Sequence, residues 1–310
     1  MDQVKDVIYL DDCRASMLEG FRNGYQPGET THFKDINGHY SLLRGDVTLF
    51  GGIGNHGKST FYVQLAALRA LNNKEKFAVF SPEMHPPDYF YNDVIHMITG
   101  TYPAKGATDE GEYVRQMNWV KERFFYIFPE DESPTPDYIN SRFEQVIKVH
   151  GVDGVCVDPF NQLVNDWHTS GRDDRYISTF LQTAKRFAQK QNVYYHILVH
   201  PKGNISTDDA GDLKCPNVFN LAGGAMWSNH ADNIIFIHRP HKLTDQHNMD
   251  SLISIAKIKK QKIVGIPDDI PLTFNRSTNR YSDKYGSPFT KDYGLTSPAK
   301  ELFEVDKDPF

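Results

Sequence analysis

The chain has little cysteine, no long apolar run and no surplus of positive charge. Its three cysteines, Cys13, Cys156 and Cys215, lie far apart with no C-x-x-C spacing. That argues against a zinc ribbon or a disulfide framework and fits a reducing, cytoplasmic setting. No apolar run approaches the roughly 20 residues that span a bilayer. The first residues lack the basic and apolar regions of a signal peptide, so no membrane association is expected. Lysine and arginine total 34 against 40 acidic residues, a formal charge of −6. A protein coated in nucleic acid is therefore disfavoured, although basic groups confined to a few loops remain compatible with a ring or channel. Internal repeats and low-complexity tracts are also missing. What remains, 39% hydrophobic and 24% charged residues, is ordinary for a globular protein with room for one large α/β domain or two small ones.

The most specific feature is Gly52-Ile-Gly-Asn-His-Gly-Lys-Ser59, a complete G-x-x-x-x-G-K-[ST] phosphate-binding loop. A strand-like run at 46–51 precedes it and a helix-like run at 59–69 follows. Gly52, Gly54 and Gly57 let the backbone wrap a phosphate, with Asn55 and His56 between them and Thr60 in the first helical turn. Helix N-termini direct N–H groups and a positive dipole end at anions. Lys58 is expected to reach the β- and γ-phosphates of ATP, and the Ser59 hydroxyl to hold Mg²⁺.

From residue 45 onward, strand-like and helix-like runs alternate. Short apolar runs at 77–81, 124–128, 154–158, 195–199 and 233–237 predict strands. Helices are predicted at 87–97, 113–123, 136–150 and 176–191. In the last of these, apolar residues at 177, 180, 181, 184, 187 and 188 make one face. Residues 251–257 and 270–274 read as a closing hairpin. Continuous apolar strands between helices imply a parallel sheet covered on both faces. Ahead of this core, residues 11–21 suggest a short amphipathic helix with an acidic N-terminal end. It either packs on its own domain or forms an arm that docks on a neighbouring subunit.

Three strand ends carry chemistry. Asp158 ends a buried strand, where a carboxylate orients the Mg²⁺ shell. Glu83 follows the second strand in Phe80-Ser-Pro-Glu-Met84, where a carboxylate can polarise an attacking water. His200 ends another strand in Val199-His-Pro-Lys202, where an imidazole can sense the γ-phosphate. Singly, each also suits a structural role.

Together with Asn220-Leu-Ala-Gly-Gly-Ala-Met-Trp227 and Ala231-Asp-Asn-Ile-Ile-Phe-Ile-His-Arg239, these segments resemble the RecA-like helicase domain of the DnaB/Twinkle class, including phage primase-helicases. The resemblance covers roughly residues 30–282 in the family's order. It implies an α/β RecA-like P-loop NTPase with a central, mostly parallel sheet flanked by helices. It also implies a ring-forming, hexameric, ATP-dependent DNA helicase that translocates on single-stranded DNA in a bacterial or phage-infected cell. Glu83 then matches the catalytic base, Asp158 the metal-supporting acid and His200 the switch between ATP and DNA. Arg239 and Phe274 match positions that sandwich the adenine, though Phe274 also suits the core. Lys257-Ile258-Lys259 matches the motif reaching into the neighbour's ATP site, where the family usually has Lys-x-Arg. Lysine keeps the charge but lacks the planar fork of arginine.

Residues 202–226 form a long polar connection that matches the family's DNA-binding loop. Lys202 and Lys214 are its only basic side chains, and Ala222 stands where related helicases carry Arg. Gly223 and Gly224 are candidates to offer N–H groups to phosphates. The acidic end, 301–310, finishes in Phe310 and resembles the partner-recruiting tails of some phage helicases and of bacterial single-strand-binding proteins, with a primase, polymerase or single-strand-binding protein as candidate partner; a frayed tail is the alternative. No segment carries primase chemistry, so priming is expected from another chain. The expected organisation is an arm at 1–44, an ATPase domain at 45–284 and a tail at 285–310. A RecA/RadA-like recombinase and a non-unwinding, ATP-dependent loader are the alternatives.

Overall fold

A computed structural model describes residues 4–25, 27–165, 173–202, 205–290 and 293–296. A nine-stranded sheet runs through the centre in the order β3-β2-β4-β5-β1-β6-β7-β8-β9. The strands are β1 Val47–Gly51, β2 Phe77–Phe80, β3 Phe124–Ile127, β4 Gly154–Val157, β5 Tyr194–Val199, β6 Asn233–His238, β7 Asp250–Ile258, β8 Asp269–Asn275 and β9 Arg280–Ser282. From β3 to β6 every pairing is parallel, and from β6 to β9 every pairing is antiparallel. The expected parallel core and closing hairpin are both present, and β9 extends the hairpin by one strand.

Helices cover both faces: α2 Lys58–Asn73, α3 Pro87–Thr99, α4 Glu110–Lys121, α5 Pro136–His150, α6 Asp173–Gln191 and α7 Gly224–His230. Strand residues alternate between two cores. Phe50, Phe77 and Val79 join the cluster under α2 and α3, whereas Leu49, Ala78 and Phe80 join the cluster under α5 and α6. This two-sided burial explains why the central strands lack polar alternation. Local signals set the helix ends. The Asp109 side chain accepts the Gly111 and Glu112 N–H groups to start α4. Thr135 and Pro136 open α5, and Gly151, at φ 67°, closes it.

Residues 1–44 are of two kinds. The first helix, α1 Leu10–Asn23, buries no residue, and its Leu10, Met17, Leu18 and Phe21 remain exposed. From Gly28 onward the segment belongs to the body, since Phe33, Ile36, Tyr40 and Leu42 enter the core. At the other end Leu295 is buried, and its carbonyl accepts from Gln116 Nε2 at 2.9 Å. Residues 297–310, including the acidic tail, lie outside the described residues.

One buried ion pair ties α2 to the rest. Arg69 grips Glu75 with two bonds, Nε–Oε2 at 2.8 Å and Nη2–Oε1 at 2.6 Å. Glu75 also meets Arg44 and the Tyr194 hydroxyl. Removing one partner leaves the other charge buried and under-satisfied. Arg69→Met is therefore expected to lower unfolding free energy by about 3 kcal/mol, read from chemical denaturation; an unchanged midpoint would show the pair to be dispensable.

Candidate functional site

Strand register brings the predicted residues to one end of the sheet. Gly51 pairs with Val199 on one side and Phe236 on the other, so the phosphate loop, His200 and Arg239 all leave the sheet together. Phe80 pairs with Val157, which places the Pro82–Met84 turn beside Asp158. A ligand crevice at the carboxyl ends of parallel strands is the expected location in such a fold.

The loop at 52–57 has an unusual amount of outside bracing. Gly57 caps α2 in the left-handed region, at φ 89°, and a Cβ there would collide with the Tyr281 hydroxyl. That hydroxyl donates to the Gly57 carbonyl at 3.2 Å. Lys242 Nζ donates to the Asn55 carbonyl at 2.6 Å. The His56 ring accepts the Arg239 backbone N–H at Nδ1, 3.0 Å away, and stacks on His238 at 5.3 Å. Burial and the neighbouring cationic groups push His56 down to about 3. It is therefore neutral near pH 7 and can act as that acceptor.

The loop opens into a cleft of about 510 Å³ lined by Lys58, Ser59, Thr60, Glu83 and His200. Lys58 is 4% exposed, and its ammonium donates to the Ile53 carbonyl at 3.2 Å and to His200 Nδ1 at 3.1 Å. An ammonium has no acceptor, so Nδ1 is the lone-pair nitrogen and Nε2 carries the proton. Nε2 faces Glu83 Oε1 at 3.8 Å. Desolvation, then Lys58, lowers the pKa of His200, which keeps the ring neutral. Glu83 stays half-exposed. Asp158 is buried, with Ser81 Oγ 3.4 Å from Oδ2 and the Ser59 hydroxyl within hydrogen-bonding reach.

Lys257 is engaged within its own chain. Its ammonium is held by the Ser228 and Ala231 carbonyls, both at 2.6 Å, and so caps the end of α7 in its own chain. Lys259 is 56% exposed and lies near Asp232 Oδ1 at 3.6 Å. Asn233, the first residue of β6, pairs with Ile258. Lys259 is thus at the opposite end of the sheet from its own phosphate loop. The length of β6, roughly 20 Å, is more than a lysine side chain spans.

Arg239 and Phe274 share one corner. Arg239 Nη2 donates to the Asn248 carbonyl at 2.6 Å, and the Phe274 N–H to the adjoining Met249 carbonyl at 2.9 Å. Phe274 is half-buried and packs on Tyr281 at 4.9 Å. Lys202 and Lys214 are exposed on the polar connection. Part of that connection is ordered as α7, where Gly224 N–H is already bonded to the Leu221 carbonyl at 3.1 Å. Gly223, at φ 64°, turns the chain into the helix. Both glycines thus serve the helix start, and Gly224 has no free N–H for a phosphate.

Sequence reasoning missed Tyr281, Lys242 and Gln64. Gln64 clamps Tyr281 through both backbone groups, at 2.6 and 2.8 Å. No local pattern links residues 217 positions apart in sequence. A metal cluster of three or more His, Cys, Asp or Glu side chains is not found among the described residues. Asp158 with the Ser59 hydroxyl is nevertheless a hard oxygen donor set of the sparse kind that Mg²⁺ uses beside phosphates.

Comparison with known proteins agrees with this fold. Residues 28–283 match the family model described as the DnaB-like helicase C terminal domain. The chain is 28% identical over 279 residues to the Twinkle homolog protein, chloroplastic/mitochondrial, of Arabidopsis thaliana. That alignment takes in 86% of this chain and 38% of the plant protein, so the chain spans well under half of its relative's length. A solved ATPase domain superposes with a TM-score of 0.74 at 17% identity, over 90% of this chain and 99% of that one. A DnaB-like replicative helicase, solved in a study of its interactions with primase, gives 0.70 at 17% identity, over 89% and 67%. Among the described residues no helix is long and apolar enough to cross a membrane.

Burial shifts the two central charges in opposite directions. Asp158 is pushed up from 3.8 to about 6, and Lys58 down from 10.5 to about 8. A raised acid contributes stability fully below pH 3.8 and loses it as pH rises through about 6. A depressed lysine contributes above 10.5 and loses stability as pH falls through about 8. Between those two values both groups are charged and both desolvation penalties apply. Asp158→Asn is expected to stabilise the nucleotide-free protein by about 1–3 kcal/mol near neutral pH. Thermal melts should show the gain shrinking toward about pH 4; an equal gain at both pH values would contradict the shift.

Proposed function

This chain belongs to the DnaB-like helicase C-terminal domain family, and on that premise we propose that it is the motor of a replicative DNA helicase, a ring ATPase that moves along single-stranded DNA. The observation that carries the reading is the split between the sheet's two ends. Lys58, Ser59, Glu83, Asp158 and His200 converge at one, and Lys259 stands exposed at the other. Such a chain offers most of an ATP site and one cation for somebody else's.

In this reading the loop at 52–59 and Thr60 cradle the triphosphate of ATP, with Lys58 on the β- and γ-phosphates. Arg239 and Phe274 flank the adenine. Ser59 and Asp158 hold Mg²⁺, which when bound offsets phosphate charge. Glu83 takes a proton from the attacking water. His200 donates through Nε2 toward Glu83 while its Nδ1 rests on Lys58, so movement of either charge on ATP turnover reorients the ring. Two residues beyond that ring, Lys202 begins the connection that, with Lys214, contacts DNA phosphates. Lys259 of one protomer completes the site of the next, with Lys257 supporting it by fixing α7.

The exposed apolar face of α1 supports assembly through an arm laid on the adjoining protomer. A hexameric ring is the expected form. A separate primase is the expected partner, as the solved DnaB-like helicase has interactions with one. Polymerase and single-strand-binding protein are further candidates through the tail. An ATPase domain that begins near Gly28 rather than at 45, because Phe33, Ile36, Tyr40 and Leu42 enter its core, preceded by a shorter arm and followed by the tail, is the proposed organisation. A cytoplasmic setting is proposed for the chain, beside a plant relative named for the chloroplast and mitochondrion.

Two experiments test this. Glu83→Gln should leave ATP binding intact and lower DNA-stimulated turnover by at least about 100-fold; retained turnover would remove Glu83 as the base. Deleting residues 1–24 should abolish the oligomer seen by light scattering while leaving a folded domain; an unchanged mass would put the assembly contacts elsewhere.

A further inference from the structure

The lysines at the far end of the sheet are not equivalent. Lys257 is tied to two carbonyls, and Lys260 Nζ lies 2.6 Å from Asp46 Oδ1. Lys259 is more than half exposed and held loosely, 3.6 Å from Asp232 Oδ1. The carboxylate beneath it is fixed. Asp232 is 1% exposed, and its Oδ2 accepts from the Val47 N–H at 2.9 Å and from Lys185 Nζ at 2.7 Å. Its Oδ1 accepts no hydrogen bond among the described residues, so Lys259 is the charge it faces. The backbone adds a second anchor, because the Lys259 N–H donates to the Asp232 carbonyl at 3.0 Å.

We propose that Asp232 is a positioning residue for Lys259, presenting its ammonium to the adjoining protomer's ATP site. The proposal rests on the reading of Lys259 as the cation acting on a neighbour. The physical argument is one of distance and freedom. A tight ion pair would sequester the ammonium, as Asp46 sequesters Lys260. With no pair at all, a long flexible side chain would sample many rotamers before one met a phosphate. A loose contact to an immobile carboxylate narrows those rotamers yet lets the ammonium leave for a stronger anion. The cluster also retains an unbalanced charge, three lysines (Lys185, Lys259, Lys260) against two carboxylates (Asp46, Asp232). A cavity of about 330 Å³, lined in part by Lys185, Arg186, His230 and Lys259, opens beside it and favours an approaching anion.

The sign of one substitution separates positioning from background charge. Asp232→Asn makes the cluster more positive. If Asp232 only moderated the field, turnover would stay or rise. If it positions Lys259, kcat for DNA-stimulated ATP hydrolysis should fall about ten-fold, with KM and oligomer mass unchanged. Asp46→Asn is the control: it breaks contacts to Lys185 and Lys260 in the same cluster but none to Lys259. It should cost a similar shift in melting temperature and leave kcat within about two-fold. The double variant D232N/K259A should be no slower than K259A.

Should D232N fail to fold, Lys185→Met frees the same carboxylate from the solvent side and should also lower kcat without raising KM. An undiminished kcat in D232N, or in K185M used in its place, overturns the proposal. So does an equal loss in D46N. Undiminished turnover in K259A would instead overturn the underlying reading of Lys259, so the two failures are distinguishable.

Discussion

Lys58 places a full positive charge where little water reaches it, and the site is organised around that cost. The ammonium is satisfied by one carbonyl and one imidazole, with the Asp158 and Glu83 carboxylates as its favourable charges. Asp158 in turn is buried at the end of β4, and burial outweighs the attraction of Lys58. Near neutral pH the pair therefore holds two charges that the fold itself disfavours. In the proposed reading a triphosphate with a divalent cation would supply what each lacks: negative charge for the lysine and positive charge for the carboxylate. The bracing of the loop by Tyr281, Lys242 and His56 makes sense on the same terms. Backbone that must hold an unfavourable charge in place needs support from outside itself.

The same parallel sheet separates the two kinds of chemistry. Register aligns the carboxyl ends of β1, β5 and β6, which gathers the phosphate loop, His200 and Arg239. The switch to antiparallel pairing at β7 carries the chain back along the whole length of β6 and delivers Lys259 to the amino end. The strand that helps build one protomer's site thus displays a cation away from it. Together with an α1 that buries none of its own residues, this geometry supports the proposed reading in which the lone chain carries an incomplete site. In that proposal assembly is a condition of turnover.

Sequence was a good guide wherever the determinant was local. The phosphate loop, the continuous apolar strands and the helix with its face at Ile177, Phe180, Leu181 and Ala184 all match the fold. Glu83, Asp158 and His200 converge because each follows a strand end, which is legible from position alone. Legibility failed where contacts cross long separations or where a side chain has two possible partners. Tyr281 reaches Gly57 across the whole domain, and nothing near Tyr281 announces it. Lys257 and Lys259 are two residues apart and chemically identical, yet one is consumed by the α7 carbonyls and the other is free to act. Gly224 looked like a phosphate donor in a long polar connection, but its N–H bonds the Leu221 carbonyl in the turn that leads into a helix too short to betray itself by periodicity.

The account's central claim is that a single chain carries most of one ATP site and a cation for another. ATP turnover per chain, measured with single-stranded DNA across protein concentrations spanning assembly, addresses it most directly. Turnover that collapses on dilution, in step with loss of the oligomer, is the predicted result. A rate per chain that stays constant down to the monomer would contradict the account.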